Sequence, residues 1–310
     1  MRILAIKMKI SVKENHSCTL CPRMCRVDRD SGQKGYCRMD STVRGARAAL
    51  HMWEEPCISG EKGSGAVFFS GCTLGCVFCQ NRQIADGTCG KEISVERLSD
   101  IFLELQEKGA ANINLVTASH FVLPVIPALE YAKSRGLKIP VVYNTGGYEK
   151  VETLRMLEGI VDVWLPDFKY MDSELSEKYS RAKDYPEVAA RALEEMVRQA
   201  GNCIFDEAGY IQKGVIVRHL ILPGHTEDSK AVLQYLYETY KNKIYISVMN
   251  QYTPLPHTAD MPPLNRKVTK REYDRVLDYA LSLGIEQGYF QEGETAEESF
   301  IPLFDYEGLS

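Results

Sequence analysis

Between residues 66 and 250 the sequence alternates short β-branched or aromatic runs with segments of helical period, and this alternation constrains the fold more than any other feature. Six strands are expected, at residues 66–70, 112–117, 139–144, 162–166, 215–222 and 244–249. Their runs are almost continuously apolar, as suits parallel strands covered on both faces. Helices are expected at 94–108, 124–134, 148–157, 184–199 and 227–240. Several stop just before a glycine (Gly109, Gly136, Gly159, Gly201), a common way for a helix to end. Repeated βα units imply a parallel sheet with right-handed crossovers. Six units are too few to close an eight-stranded barrel. The expected class is therefore α/β, an open, partial (βα)6 TIM-like barrel. A doubly wound sheet is the alternative that periodicity leaves open.

Ahead of this core, residues 11–50 are basic, Cys-rich and Gly-punctuated, with little apolar periodicity. Such a stretch has no core of its own, so a bound metal would have to organise it. Residues 54–65 read as an extended loop, and a helix at 269–283 with a short strand near 289–291 follows the core. Three parts are expected: a Cys-rich, metal-binding N-terminal segment (1–53), the barrel (54–255), and a C-terminal helix and tail packing on it (256–310).

Composition removes several function classes. With 37 Lys and Arg against 42 Asp and Glu the net charge is −5, and no dense basic block suggests a nucleic-acid partner. The longest apolar stretch, residues 121–129, contains Pro124 and Pro127 and falls far short of the ~18–20 residues of a membrane span. Residues 1–10 alternate apolar residues with Arg and Lys and lack the long apolar run and cleavage site of a signal peptide. A cytoplasmic address is expected. In that setting ten cysteines point to metal or redox chemistry rather than to disulfides.

Cys72, Cys76 and Cys79 stand in the run SGCTLGCVFCQN directly after the first expected strand. Active sites of parallel α/β barrels lie at the C-terminal ends of strands. Three thiolates at this spacing can converge on one inorganic cluster, and three is one short of the four that fill a [4Fe–4S] cluster. One iron would stay open for a ligand. A closed zinc site would need a fourth ligand, the nearest being Cys89; a zinc knuckle and buried free thiols are the other readings.

CxxxCxxC with an aromatic residue before its last Cys resembles the signature of the radical S-adenosylmethionine (SAM) superfamily. Together with EEPCISGEKGSGAVFF before it and CTLCPRMCRVDRDSGQKGYC at the N-terminus, it resembles the pyruvate formate-lyase activating enzyme-like group over most of residues 16–255. The resemblance implies an enzyme whose [4Fe–4S] cluster on Cys72, Cys76 and Cys79 binds SAM and cleaves it reductively. A 5′-deoxyadenosyl radical would result and abstract hydrogen from a substrate. It further implies a reductant such as flavodoxin or ferredoxin, and a glycyl-radical enzyme or other protein as substrate. A small molecule, or another peptide, remains an alternative substrate. A non-enzymatic zinc or iron–sulfur binding protein is the reading from another class, and an electron carrier conflicts with the three-thiolate set.

The same resemblance assigns Phe78 to the neighbourhood of the adenine. Better-known activases carry Gly-Gly-Glu at the end of the second strand; here the sequence reads Leu115-Val116-Thr117-Ala118-Ser119-His120, so Thr117, Ser119 or backbone carbonyls would hold the SAM amino group. Asn144 ends the third strand before two glycines. Asp167-Phe168-Lys169 ends the fourth, matches the activase Asp-x-Lys motif, and puts both charges on one side of an extended segment. Of Arg218 and His219 only one can face the interior; Arg218 is expected there, able to grip the SAM carboxylate. Gln251 and Tyr252 follow the sixth strand, and His120 and His225 fall at loop tips as further candidates. Cys18, Cys21, Cys25 and Cys37 suit one zinc or a second iron–sulfur cluster, with Arg23, Arg26, Arg29, Lys34 and Arg38 to offset thiolate charge. Cys57, Cys89 and Cys203 have no spacing partner.

Overall fold

The alternation folds into a parallel sheet in the computed structural model, which describes residues 12–291 and 302–310. Residues 1–10, on which the expectation about a leader rests, lie outside the described residues. In chain order the strands are β1 (Arg44–His51), β2 (Ser64–Phe69), β3 (Lys91–Glu92), β4 (Ile113–Val116), β5 (Val141–Thr145), β6 (Val163–Pro166), β7 (Ile204–Phe205), β8 (Ile211–Leu220), β9 (Tyr245–Met249) and β10 (Gly288–Phe290). The helices are α1 (Pro56–Ser59), α2 (Arg82–Ala85), α3 (Val95–Glu107), α4 (Val122–Ser134), α5 (Val151–Arg155), α6 (Ser173–Ser180), α7 (Tyr185–Ala200), α8 (Thr226–Tyr240) and α9 (Lys270–Leu283). No described helix is long and apolar enough to cross a membrane.

The sheet runs β10-β9-β8-β6-β5-β4-β2-β1-β3, with β7 hairpinned onto β8. From β2 to β10 every neighbouring pair on this path is parallel. Across these seven parallel strands spatial order follows chain order without reversal, and β1 and β3 add an antiparallel edge beside β2. A doubly wound sheet reverses its order at a switch point, so that alternative is excluded and the partial barrel stands. The six expected strands are present, and β10 adds a seventh parallel one.

Period-two alternation sorts the strands into two faces. Val141, Tyr143, Trp164, Val215 and Val217 pack outward into the main core with Phe102 of α3, Leu129 of α4, Met196 of α7 and Leu236 of α8. Val142, Val163, Leu165 and Ile216 point the other way, into the barrel, where Cys57 and Ile58 of α1 plug them. One step further along the same inner rows come Asn144, Asp167 and Arg218. The barrel thus has an apolar base and a polar upper interior.

Three local expectations change. Residues 54–65 are not all extended, because Pro56 opens the short helix α1 with its buried face on the barrel base. The helix expected over 148–157 is confined to α5. Strand β1 emerges from the stretch expected to lack regular structure and pairs antiparallel with β2. Its sequence, RGARAALH, has weak intrinsic strand preference, and pairing supplies what composition does not. The C-terminal residues return to the same strand, through Tyr306 N to Ala46 O (3.0 Å) and Ala48 N to Glu307 O (2.8 Å).

Glu149, just after β5, carries a pH-dependent part of the stability. Its Oε1 accepts from Ser119 Oγ and Thr145 Oγ1, while its buried Oε2 has no partner. Burial pushes this carboxyl up to about 7. A proton held more tightly in the folded than the unfolded chain stabilises fully below about pH 4.5, and that stability is lost as pH rises through about 7. Glu149→Gln is expected to remove roughly 3 kcal/mol of pH dependence between those limits. Melting temperatures of both proteins across pH 5–8 check it, and parallel curves would refute it.

Candidate functional site

The loop after β2 places its three thiols at the C-terminal mouth of the barrel. Gly71 turns the chain there with φ +87°, and a Cβ at this position would lie 2.5 Å from Cys37 O and 2.6 Å from Met39 Cγ. Only glycine serves, on both counts. Cys72, Cys76 and Cys79 then line a cavity of about 330 Å³ that also takes in Asn144, Asp167, Lys169 and Arg218. Leu74 N donates to Cys72 Sγ at 3.4 Å, and Ser180 Oγ to Cys76 Sγ at 3.0 Å.

Burial raises the Cys76 and Cys79 thiols; neighbouring thiolates raise them further, and Lys169 pulls both down. Unpaired thiolates would therefore be costly here without a metal to take their charge. No three of these sulfurs lie within 4.8 Å of one another. A single tetrahedral zinc, with Zn–S near 2.3 Å, would draw its sulfurs to about 3.8 Å apart. The donor set and its spread fit an iron–sulfur cluster instead.

Beneath the thiols the inner-row residues form one charged network. Arg218 donates through Nε to Asp167 Oδ1 (2.9 Å), through one terminal nitrogen to Glu54 Oε2 (3.0 Å) and through the other to Asn144 Oδ1 (2.6 Å). Lys169 Nζ reaches Asp167 Oδ2 at 2.7 Å. Asn114 and Asn144 both donate to Glu54 Oε1, at 3.2 and 3.1 Å. Burial opposes the charge on Asp167, yet Arg218 and Lys169 outweigh it and hold that carboxyl low. Burial likewise opposes the charges on Lys169 and Arg218, and the carboxylates overcome it. For Glu54 burial wins and the carboxyl is raised.

The structure brings all six expected cofactor contacts (Phe78, Thr117, Asn144, Asp167, Lys169, Arg218) to the wall of this one cavity. Thr117 sits at φ +61°, a genuine outlier for a β-branched residue and of a kind that clusters at functional sites. Phe78 is buried between Tyr170 and Tyr252, 6.4 Å from each ring centre. Arg218, expected to grip a ligand carboxylate, has its guanidinium engaged by three protein side chains. His219 takes the outer face, with Nδ1 on Phe168 O at 2.8 Å.

Other candidates fall outside. His120 is buried with Nε2 on Ser70 O (2.7 Å), its pKa pushed down to about 3, and it supports the cysteine loop from behind. His225 meets Tyr179 OH at 3.0 Å, and Tyr252 OH donates to Leu264 O at 2.6 Å; neither lines the cavity. Gln251 does line it, and its carbonyl accepts from Gln80 Nε2 at 2.9 Å. Sequence reasoning missed Glu54 and Glu55, which face the cavity from the β1–α1 turn. Two adjacent acids before a helix-starting proline were the available signal. It missed Ser180 as well, whose hydroxyl lies on Cys76.

Comparison with known proteins bears on this geometry. The model of the radical SAM superfamily matches residues 66–236. An uncharacterised protein of Methanocaldococcus jannaschii is 28% identical over 288 residues, covering 90% of this chain and 78% of that protein. A radical SAM methyltransferase from Sphaerobacter thermophilus is similar in structure over 74% of this chain and 67% of that one, with 12% identity and a TM-score of 0.50. That likeness speaks to the fold alone. SuiB of Streptococcus suis, solved with S-adenosylmethionine bound, aligns over 72% of this chain at 17% identity and a TM-score of 0.48. The alignment covers 48% of SuiB, so this chain spans about half of its length.

Proposed function

The chain belongs to the radical SAM superfamily and is an enzyme; from that premise we propose that it cleaves S-adenosylmethionine reductively to begin hydrogen abstraction from a substrate. The family implies a [4Fe–4S] cluster and SAM as cofactors. Cys72, Cys76 and Cys79 would hold the cluster, leaving one iron for SAM. When bound and reduced, the cluster supplies the electron that breaks the sulfonium C–S bond, giving methionine and a 5′-deoxyadenosyl radical.

The observation that carries this reading is that all three thiols open onto the cavity shared by Asn144, Asp167, Lys169 and Arg218. Lys169 offsets thiolate charge from one side while paired to Asp167. Phe78 gives the cavity an apolar wall beside the last cysteine and excludes water there. Thr117 offers a polar group at the strand end where the resemblance would have Gly-Gly-Glu, and Asn144 offers another at the end of β5. The Arg218 network gives the cavity a fixed polar floor. Such preorganisation aligns reactants without reorganising the protein.

An activase-like role, with a glycyl-radical enzyme or another protein as substrate, is supported by Asp167-Phe168-Lys169. A small-molecule substrate is supported by a different feature, the buried Glu55 Oε2 that lines the cavity without a partner. That oxygen would accept an N–H or O–H group of a molecule small enough to reach it. A flavodoxin or ferredoxin would supply electrons, in the cytoplasm.

Protein reconstituted anaerobically with iron and sulfide, then given dithionite and SAM, is expected to release 5′-deoxyadenosine, measured by chromatography. Protein that carries its cluster but binds no SAM would overturn the proposal.

A further inference from the structure

The N-terminal cysteines form a second site whose place on the barrel says what it is for. Residues 12–43 contain no helix or strand, yet Cys18, Cys21 and Cys37 are 5, 7 and 6% exposed. All four thiols, Cys25 included, are free of disulfides. Three non-glycine residues with positive φ flank them: Met24 (40°) and Arg26 (55°) on either side of Cys25, and Arg38 (65°) after Cys37. Backbone strain of this kind persists where surrounding contacts over-determine it, and ligand clamps are one such place. Gly35 leaves the space between two of the sulfurs open, since a Cβ there would lie 2.8 Å from Cys25 Sγ and 3.8 Å from Cys37 Sγ.

The spread of the sulfurs separates the metals this set could take. No three of the four lie within 4.8 Å of one another, whereas tetrahedral zinc would hold them near 3.8 Å. Nor do the three motif sulfurs all lie within 4.8 Å of one another. Four thiolates complete the ligand set of an iron–sulfur cluster, so this centre would leave no iron open for SAM.

Its contacts run to the motif loop. Arg23 lies between Cys21 and Cys25, so their ligation would set its position. Its guanidinium donates to four backbone carbonyls: Thr73 O (2.9 Å), Leu74 O (3.2 Å), Ser180 O (3.1 Å) and Arg181 O (2.5 Å). Tyr36, next to Cys37, stacks under that guanidinium at 4.0 Å and donates from its hydroxyl to Leu74 O at 3.4 Å. Tyr148 flanks it at 5.0 Å. Thr73 and Leu74 lie between Cys72 and Cys76, and Ser180 is the residue whose hydroxyl reaches Cys76. Arg23 therefore ties the loop that carries Cys72, Cys76 and Cys79 to the C-terminal end of α6.

We propose that Cys18, Cys21, Cys25 and Cys37 bind a fully ligated iron–sulfur cluster that acts through Arg23 as a clamp on the Cys72–Cys79 loop. The clamp half rests on the reading of that loop as the SAM-cluster site; the metal half does not. The two are tested apart.

In full-length protein carrying Cys72→Ala, Cys76→Ala and Cys79→Ala, only the N-terminal site remains. Reconstituted with iron, sulfide and zinc in competition, it is expected to retain iron and acid-labile sulfide in equal amounts. A further Cys25→Ala substitution is expected to lose both. One zinc without iron, or no metal, overturns the proposal. For the clamp, hydrogen exchange is followed across residues 71–80 in otherwise native protein. Arg23→Ala is expected to speed exchange there roughly tenfold, leaving α3 and α4 unchanged. Arg23→Lys, which keeps the charge but not the fork, is expected to fall between. The N-terminal iron of an Arg23→Ala protein in the three-alanine background is expected to persist, so metal loss and clamp loss are told apart. Unchanged loop exchange overturns the clamp whatever the metal proves to be.

Discussion

Alanine at any one of Cys72, Cys76 or Cys79 is expected to abolish 5′-deoxyadenosine formation as completely as alanine at all three, a loss of at least about a thousandfold. Residues that act as one unit do not contribute additively, and a cluster that has lost one of three protein ligands no longer presents a single open iron. The barrel should survive the change. The three cysteines sit on a loop rather than in a strand or helix, and each Cys→Ala substitution removes one sulfur from a cavity wall. The hydrogen bonds lost with it are those from Leu74 N and Ser180 Oγ. Chromatographic product measurement on anaerobic protein, beside a circular dichroism melt, separates lost chemistry from lost fold. A single variant that keeps a tenth of native activity would sink the assignment of these three thiols. Iron at the N-terminal centre proposed above is expected to be untouched in all of them, since the four cysteines assigned to it lie on a separate segment.

The placement of the charged network was legible from strand periodicity. Alternation along residues 215–222 allowed only one of Arg218 and His219 to face inward, and the same rule put Asp167 and Lys169 on one side of their segment. Those positions follow from local geometry that repeats every two residues. Glu54 was not legible, because its role arises from three strands far apart in sequence. Its carboxylate meets Asn114 of β4, Asn144 of β5 and Arg218 of β8, and no spacing in the chain encodes that meeting. Strand β1 escaped for a related reason: Ala- and Arg-rich residues become a strand only when β2 offers an edge. His120 shows the opposite error. A histidine at an expected loop tip reads as a candidate for chemistry, but burial and the Ser70 carbonyl make it a neutral prop.

Arg218 is where the largest stability effect is expected. It ties Asp167, Glu54 and Asn144 together through three of its nitrogens, and its side chain is 15% exposed against 9% for Glu54 and 15% for Asp167. Breaking such a pair from one side leaves the other charge buried without compensation, at a cost of about 3–5 kcal/mol. Arg218→Leu is expected to lose that much, read as a lower urea midpoint. Lys169 still pairs with Asp167 in this variant, so Glu54 is the charge left without a cation, with only the Asn114 and Asn144 amides donating to it. Burial already raises its carboxyl and Arg218 holds it down; without the arginine it rises further. A raised carboxyl pKa stabilises below the unfolded value and loses that stability as pH climbs through the folded one. The deficit of Arg218→Leu is therefore expected to be larger at pH 8 than at pH 5. Adding Glu54→Gln removes the stranded charge and is expected to restore roughly 1–2 kcal/mol, a coupling that independent sites do not show. Deficits that neither grow with pH nor shrink in the double variant would mean that the two side chains are not energetically joined. SAM affinity measured on the double variant then asks the remaining question: with the fold recovered, any loss of binding belongs to the arginine itself.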